Sequence, residues 1–143
     1  MRYGIMKKVK AIVGRVNKGT NVYSVVMDAD EVPFGLNGTG KTIEEARQDM
    51  LEAYAEIKEI MEREGESYDD LTFEYVYDIP SFLSYYEHVL SLAGLERISG
   101  INQRQLSHYI NGTSKPRKAT VERFRSRIRS FAEELRSVDI IWQ

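Results

Sequence analysis

Cysteine is absent from this chain, and histidine occurs only twice, as His88 and His108. Without cysteine the protein has no disulfide, no thiolate zinc site and no thiol nucleophile. Two histidines this far apart in the sequence are a poor basis for a metal site, since a zinc centre needs several ligands that converge. The sequence therefore predicts neither a metal ion nor another cofactor.

Long apolar runs are also missing, and none approaches the roughly 18–20 residues that a membrane-spanning helix needs. The basic start, MRYGIMKKVKAIV, lacks a long apolar stretch and a small-residue cleavage site, so we expect no signal peptide. With 42% hydrophobic and 29% charged residues the composition is typical of a folded, soluble protein. We expect a cytoplasmic protein with no membrane partner, large enough for one ordinary domain or two small ones.

Net charge is small, at −2, but it is unevenly distributed. Residues 1–79 contain ten basic and sixteen acidic side chains, whereas residues 80–143 contain ten basic and six acidic ones. The first part is thus net −6 and the second net +4. Such an asymmetry predicts different partners for the two parts.

The first part predicts a small antiparallel or mixed sheet with one packed helix. Alternating apolar residues predict a hairpin, and a helix with a Thr42–Glu45 capping box and Gly65 beyond its end follows. A short strand around Pro33 would have to lie at an edge, because proline cannot donate to a central ladder. The predicted segments are strands at 7–16, 21–30 and 71–78, a turn at 17–20, an optional strand within 31–40, and a helix at 42–64.

From Pro80 onward the sequence predicts only helices, at 81–92, 95–99, 102–110 and 118–137. The fold class is therefore α+β, with an α+β domain at 1–79 and an all-α domain at 80–143. The apolar tail VDIIWQ, residues 138–143, either adds a strand to a sheet edge or packs in a dimer interface. For Ile140, Ile141 and Trp142 we favour the dimer interface.

One short stretch, GLNGTGKT at residues 35–42, matches the phosphate-binding pattern G-x-x-x-x-G-K-[ST] letter for letter. A working loop of this type follows a buried parallel strand, but here the preceding residues are DADEVPF, with three acids and a proline. A tight connection into a helix explains the glycines equally well. We therefore predict no nucleotide site, while weak anion binding at the helix N-terminus stays open.

Positive charge is concentrated in residues 97–129, which contain nine Lys or Arg side chains and one acid, Glu122. Clustered charge of this kind favours phosphate contacts. In NQRQLSHYI, residues 102–110, the spacing places Leu106 and Ile110 toward the core and leaves polar side chains outside. Amide and guanidinium groups recognise base edges, which favours DNA binding. A solvated surface helix, or a surface for RNA, acidic proteins or membranes, are the alternatives.

The segment SGINQRQLSHYINGTSKPRKATVERF closely resembles the core of phage-repressor (Xre-type) helix-turn-helix domains. The resemblance implies that the third helix enters the major groove and that the loop INGTSKPRK grips phosphate with side chains and backbone N–H groups. The implied DNA-contacting residues are Asn102, Gln103, Arg104, Gln105, Ser107, His108, Asn111, Thr113, Ser114, Lys115, Arg117 and Lys118.

The first part, a hairpin and a glycine-containing loop followed by GKTIEEA at residues 40–46, is similar to HicB-type antitoxins. That family joins a degenerate RNase H-like domain to a DNA-binding domain. The resemblance implies an antitoxin that covers a small basic mRNA-cleaving toxin of HicA type and represses its own operon as a homodimer or larger even-numbered oligomer. The implied toxin-binding acids are Asp28, Asp30, Glu31, Glu44, Glu52, Glu56 and Glu59.

Two other functions remain as alternatives to the antitoxin. One is a stand-alone transcriptional regulator whose first domain senses a ligand or a protein. The other is an enzyme, since RNase H-like folds hydrolyse with clustered carboxylates and metal ions. Asp28, Asp30 and Asp78 are the nearest candidates, but no further acids are placed to complete a two-metal site. We therefore predict no catalytic residues.

Overall fold

The computed structural model describes residues 6–16, 21–66 and 68–143, so the predicted turn at 17–20 lies outside the described residues. The chain divides into two compact units, the first ending at Ser81 and the second beginning at Phe82. The described elements are β1 (Met6–Arg15), β2 (Tyr23–Asp28), β3 (Asn37–Gly40), α1 (Ile43–Arg63), β4 (Asp70–Tyr77), α2 (Ile79–Tyr86), α3 (Leu92–Ser99), α4 (Gln103–Asn111) and α5 (Lys118–Ser137). The α+β class predicted from the sequence is confirmed.

The first unit contains a four-stranded mixed sheet with the order β3-β2-β1-β4. β1 pairs antiparallel with β2 and parallel with β4, and β2 pairs antiparallel with β3. Ile12 lies opposite Val26 on one side and Val76 on the other. Because side chains alternate between faces, these three residues form a row on one face, and all three are exposed.

α1 covers the other face of the sheet. Val9, Ala11 and Val13 of β1 are buried there. The helix contributes Ile43, Ala46, Met50 and Tyr54 to the same core. The Tyr54 hydroxyl accepts a hydrogen bond from the Leu71 backbone N–H at 2.8 Å, which fixes the start of β4 to the helix. The buried positions 43, 46, 50 and 54 are three or four residues apart, so they form the packed stripe of α1.

The glycines of the phosphate-loop-like match serve the contact between β3 and α1. A Cβ atom on Gly38 would lie 2.2 Å from the Ala46 carbonyl oxygen and 2.4 Å from the Met50 backbone nitrogen. A Cβ atom on Gly40 would lie 2.7 Å from the Ala46 nitrogen. Glycine at these positions lets the helix backbone rest directly on the edge strand.

Backbone donors in the same stretch are engaged by carboxylates. The Thr39 N–H donates to Asp49 and the Lys41 N–H donates to Glu45, both at 2.9 Å. Thr42 caps α1 by accepting from the Glu45 N–H at 3.1 Å, as predicted, but the Glu45 carboxylate binds the N–H of Lys41 rather than that of Thr42. Carboxylates already occupy donors that a phosphate-binding loop would offer to its ligand.

The second unit is a helical domain around Leu83, Leu95, Leu106 and Phe124, each of which is buried. α3 packs against both α4 and α5. The Phe82 and Phe124 rings meet edge to face with centroids 5.5 Å apart. In the described part of the chain, no helix is both long and apolar enough to span a membrane.

Two helix boundaries predicted from the sequence are wrong. The single helix predicted at 81–92 ends at Tyr86, and α3 begins at Leu92 rather than at residue 95. Ser91 decides the second boundary, because its side chain accepts from the Gly94 N–H at 3.0 Å and caps the new helix. The apolar spacing continues across this break, which is why periodicity alone missed it.

Candidate nucleic-acid interface and acidic helix face

α3 and α4 are joined by a three-residue turn of Gly100, Ile101 and Asn102. Gly100 ends α3 with a left-handed backbone, at φ 77°, and its N–H donates to the Glu96 carbonyl. Asn102 begins α4 by accepting from the Gln105 N–H at 2.8 Å. A short turn that contains glycine is also the connection between the two helices of helix-turn-helix motifs.

Ser99 locks this turn, a role that sequence reasoning missed. Its hydroxyl is fully buried, donates to the Leu95 carbonyl at 2.6 Å and accepts from the Ile101 N–H at 3.1 Å. One side chain thus ties the last turn of α3 to the residue that follows Gly100. The sequence signal for this role was a small polar residue directly before the glycine that ends a helix. That pattern is common, so it does not single out Ser99.

The outward face of α4 carries Arg104 and Asn111, which are exposed, and Ser107 and His108, which are half-buried. Their spacing of three, four and seven residues places them on one stripe of the helix. Leu106 and Tyr109 form the buried side. Ile110, expected to face the core alongside Leu106, is half-buried, and Tyr109 is the second fully buried side chain of α4.

The other predicted contacts on this helix are partly committed to the protein itself. The Gln103 amide donates to the Glu96 carboxylate at 3.4 Å, and the Gln105 amide donates to the Ser114 hydroxyl at 3.2 Å. The Asn102 side-chain oxygen is the cap of α4. These residues brace α4 against α3 and against the loop that follows.

The loop after α4 is held by the end of that helix. Gly112 is left-handed, and the N–H groups of Gly112, Thr113 and Ser114 all donate to carbonyl groups of α4. These backbone donors are engaged, in contrast to the expectation that they bind phosphate. Among the side chains of this loop, Thr113, Lys115 and Arg117 are exposed.

Cationic side chains continue from the loop into α5. Lys115, Arg117 and Lys118 are exposed, and none of the ion pairs found among the described residues involves them. Arg117 occupies the N-cap of α5 without a side-chain capping bond, unlike Ser91 and Asn102 at α3 and α4. The first turn of α5 therefore presents uncapped N–H groups beside three positive charges, an environment that favours phosphate.

In the first unit, the acids predicted on α1 lie along its exposed side. α1 contains seven acidic and three basic residues. Glu52, Glu56 and Glu59 share one exposed face over about 10 Å, and Gln48 donates to Glu52. Glu44 is exposed in the first turn, on a neighbouring stripe. The three glutamates, which we call the α1 acidic face, are the densest acidic surface among the predicted toxin contacts.

The hairpin acids do not join that face. Asp28 lies opposite Lys10 in the register, on the sheet face away from α1. Asp30 and Glu31 lie in the turn that follows β2, and both are exposed. Glu31 accepts a hydrogen bond from Lys7, and this contact lowers the pKa of its carboxyl group. The seven predicted acids therefore form at least two separate surfaces.

Among the described residues, no three His, Asp or Glu side chains cluster tightly enough to hold a metal ion. Asp78, one of the carboxylates considered for a catalytic site, instead accepts from the Ser81 N–H at 2.8 Å and caps the start of the helical segment.

Comparison of the chain with protein-family models, curated sequences and solved structures finds no match.

Proposed function

We propose that this protein binds a specific DNA sequence through α4 and acts as a transcriptional repressor. The observation that carries the proposal is the outward stripe of Arg104, Ser107, His108 and Asn111. It lies on a helix that follows a short, locked turn and precedes a cationic loop. An α-helix fits the major groove of B-DNA, where arginine and asparagine recognise guanine and adenine edges.

The charge distribution supports the same proposal. Lys115, Arg117 and Lys118 follow α4 directly and are exposed. Each phosphate contact of this kind makes binding salt-dependent, with a slope of about 0.9 per contact in log–log form. We assign these three residues to orienting the domain on the backbone, while the outward stripe of α4 discriminates between sequences.

Fluorescence anisotropy with DNA from upstream of the gene, compared with scrambled DNA at two salt concentrations, tests this proposal. Arg104→Ala should weaken binding to the preferred sequence by roughly 5- to 150-fold, the range for losing one bidentate base contact. Binding to scrambled DNA should change far less. Lys115→Ala should weaken both kinds of DNA and reduce the salt slope by about one.

Arg136→Ala is the matched control, because it also removes one exposed arginine but lies about 27 Å along α5 from Lys118. It should leave the preference for the specific sequence unchanged. Equal affinity for specific and scrambled DNA in the wild type, or an equal loss from Arg104→Ala and Arg136→Ala, would reject α4 as a reading helix.

The α1 acidic face favours a second role, that of a HicB-type antitoxin. Glu52, Glu56 and Glu59 are exposed on one side of α1 and have no positive partner among the described residues. Complementary charge of this kind speeds association with a basic protein and selects against acidic ones. The partner we propose is a small basic toxin of HicA type, and the chain acts by covering it rather than by catalysis.

Coexpression with the product of a small adjacent reading frame tests the antitoxin role. Glu52→Lys with Glu56→Lys should abolish copurification and restore toxicity. Glu64→Lys with Glu66→Lys makes the same charge change at exposed residues beyond the end of α1, outside the predicted contacts, and should preserve the complex. Absence of any such partner, with specific DNA binding intact, would favour a stand-alone regulator with a sensing first domain.

A further inference from the structure

The apolar stripe of α5 extends beyond the helices that pack on it. Phe124 is buried, and Ile128 and Phe131 are half-buried. Leu135 continues the same spacing but is 55% exposed. A stripe that stays apolar beyond the helices packed on it indicates a surface that is covered by something else.

The six residues after α5, which we call the C-terminal tail (Val138–Gln143), are all exposed. Ile140 is 89% and Trp142 96% accessible to solvent. Four of the six side chains are large and apolar, and a single tryptophan contributes roughly 150–250 Å² when it is buried. Exposure of this much contiguous apolar surface is unusual unless it serves as a contact.

A cleft of about 650 Å³ lies within the same unit, between α5 on one side and α3 with the segment that leads into it on the other. Its apolar lining comes from Val89, Leu90, Ile98 and Phe131. Val89 is 77% exposed. Arg97 and Arg127 add two positive charges against the single acid Glu134. The cleft therefore fits an extended apolar segment that carries a negative charge.

The C-terminal tail has these properties, because Asp139 is its only charged residue and stands among the apolar side chains. Its own cleft lies behind it, however, beside the preceding turns of α5. α3 and α4 end on left-handed glycines, which reverse the chain, but α5 ends on Val138 in an extended conformation, at φ −77° and ψ 131°. The tail thus leaves the helix without the glycine reversal that ends α3 and α4.

We propose that the tail of one copy occupies the cleft of a second copy, in a reciprocal two-fold exchange. Trp142, Ile140 and Ile141 fill the apolar lining, and Asp139 meets Arg97 and Arg127. Exchange of identical segments is a common route to symmetric dimers. The side chains of the two exchanged tails together bury on the order of 1,000 Å² of surface, which is about the area that separates a specific interface from a chance contact. The inference specifies the dimer contact of the proposed repressor, but its test does not use DNA.

Trp142 is the only tryptophan in the chain, so its fluorescence reports on the tail alone. We expect emission at short wavelength when the full-length protein is concentrated and a shift to long wavelength on dilution. Sedimentation equilibrium should show the dimer dissociating over the same concentrations. Val89→Glu, at an exposed cleft position, should weaken the dimer about 30-fold or more, as expected for loss of a central contact.

Two further variants make the result specific. Trp142→Ser should weaken the dimer by a similar factor, whereas Ile60→Ser, at an exposed position of α1, should have no effect. Far-UV circular dichroism checks that each variant is folded. A monomer with buried tryptophan would place the tail in its own cleft, and a dimer with solvated tryptophan would place the contact elsewhere. Either outcome overturns the exchange, whether or not the protein binds DNA.

Discussion

Replacing Gly38 with alanine should displace α1 from the sheet. The added Cβ would lie 2.2 Å from the Ala46 carbonyl oxygen and 2.4 Å from the Met50 nitrogen. Both are backbone atoms of one rigid helix, so no side-chain rotation relieves the overlap. Either the helix moves away from β3 or β3 leaves its pairing with β2. In both cases Ala46 and Met50, which are fully buried, lose part of their packing.

The magnitude follows from this geometry. Overpacking a core usually costs about 1–3 kcal/mol, and a clash between two backbones belongs at the upper end of that range. A loss of about 3 kcal/mol lowers the Tm of a unit of this size by roughly 12–24 °C. Gly35→Ala is the matched control, because Gly35 is exposed, lacks a positive φ, and has room for a Cβ atom with no other atom within 4 Å. It should change stability by less than about 0.5 kcal/mol.

Differential scanning calorimetry measures the loss, and hydrogen exchange followed by mass spectrometry localises it. Amides of β3 and α1 should lose protection in Gly38→Ala, while those of α4 keep theirs. If glycines 35–40 instead served phosphate binding, both substitutions would leave the melting temperature near that of the wild type. Equal effects of Gly35→Ala and Gly38→Ala on stability would likewise refute a packing role for Gly38.

Two further predictions concern buried hydroxyl groups. Ser99→Ala removes the acceptor of the Ile101 N–H and should lower the free energy of unfolding, measured in urea, by about 1–3 kcal/mol. It should also weaken DNA binding, because α4 loses its anchor. Unchanged stability would show that the turn is held without this bond. Tyr54→Phe leaves the Leu71 N–H without its partner and should destabilise the first unit by a similar amount. DNA binding should not change. A loss of DNA affinity would contradict the expectation that the first unit does not contribute to DNA binding.

Much of the fold was predictable because its signals are local. Alternation in β1 and β2 and the three-four spacing of α1 each reflect burial of one side of one element. β3 was harder, since a strand of Asn37, Gly38, Thr39 and Gly40 has no apolar alternation. Its glycines are dictated by the backbone of α1, which the sequence does not place. The pairing of β1 with β4 is equally invisible, because it joins segments separated by the whole of α1.

The candidate site shows the same division between local and long-range signals. The outward position of Arg104, Ser107 and His108 follows from helical spacing alone. The internal bonds of Gln103 and Gln105 depend on Glu96 and Ser114, on neighbouring elements, and spacing does not reveal them. Side chains that look equally available in the sequence therefore differ in whether they bond to neighbouring elements.

The parallel pairing of β1 with β4 has a consequence for synthesis on the ribosome. β1 is made first, yet one of its two edges stays unpaired until Asp70–Tyr77 has been translated. At ordinary elongation rates of about 5–20 residues per second, that edge stays open for several seconds. During this time the nascent chain presents an unpaired strand, the kind of surface that promotes association between chains. Completion of the first unit is thus delayed until its last strand emerges, shortly before the first helices of the second unit.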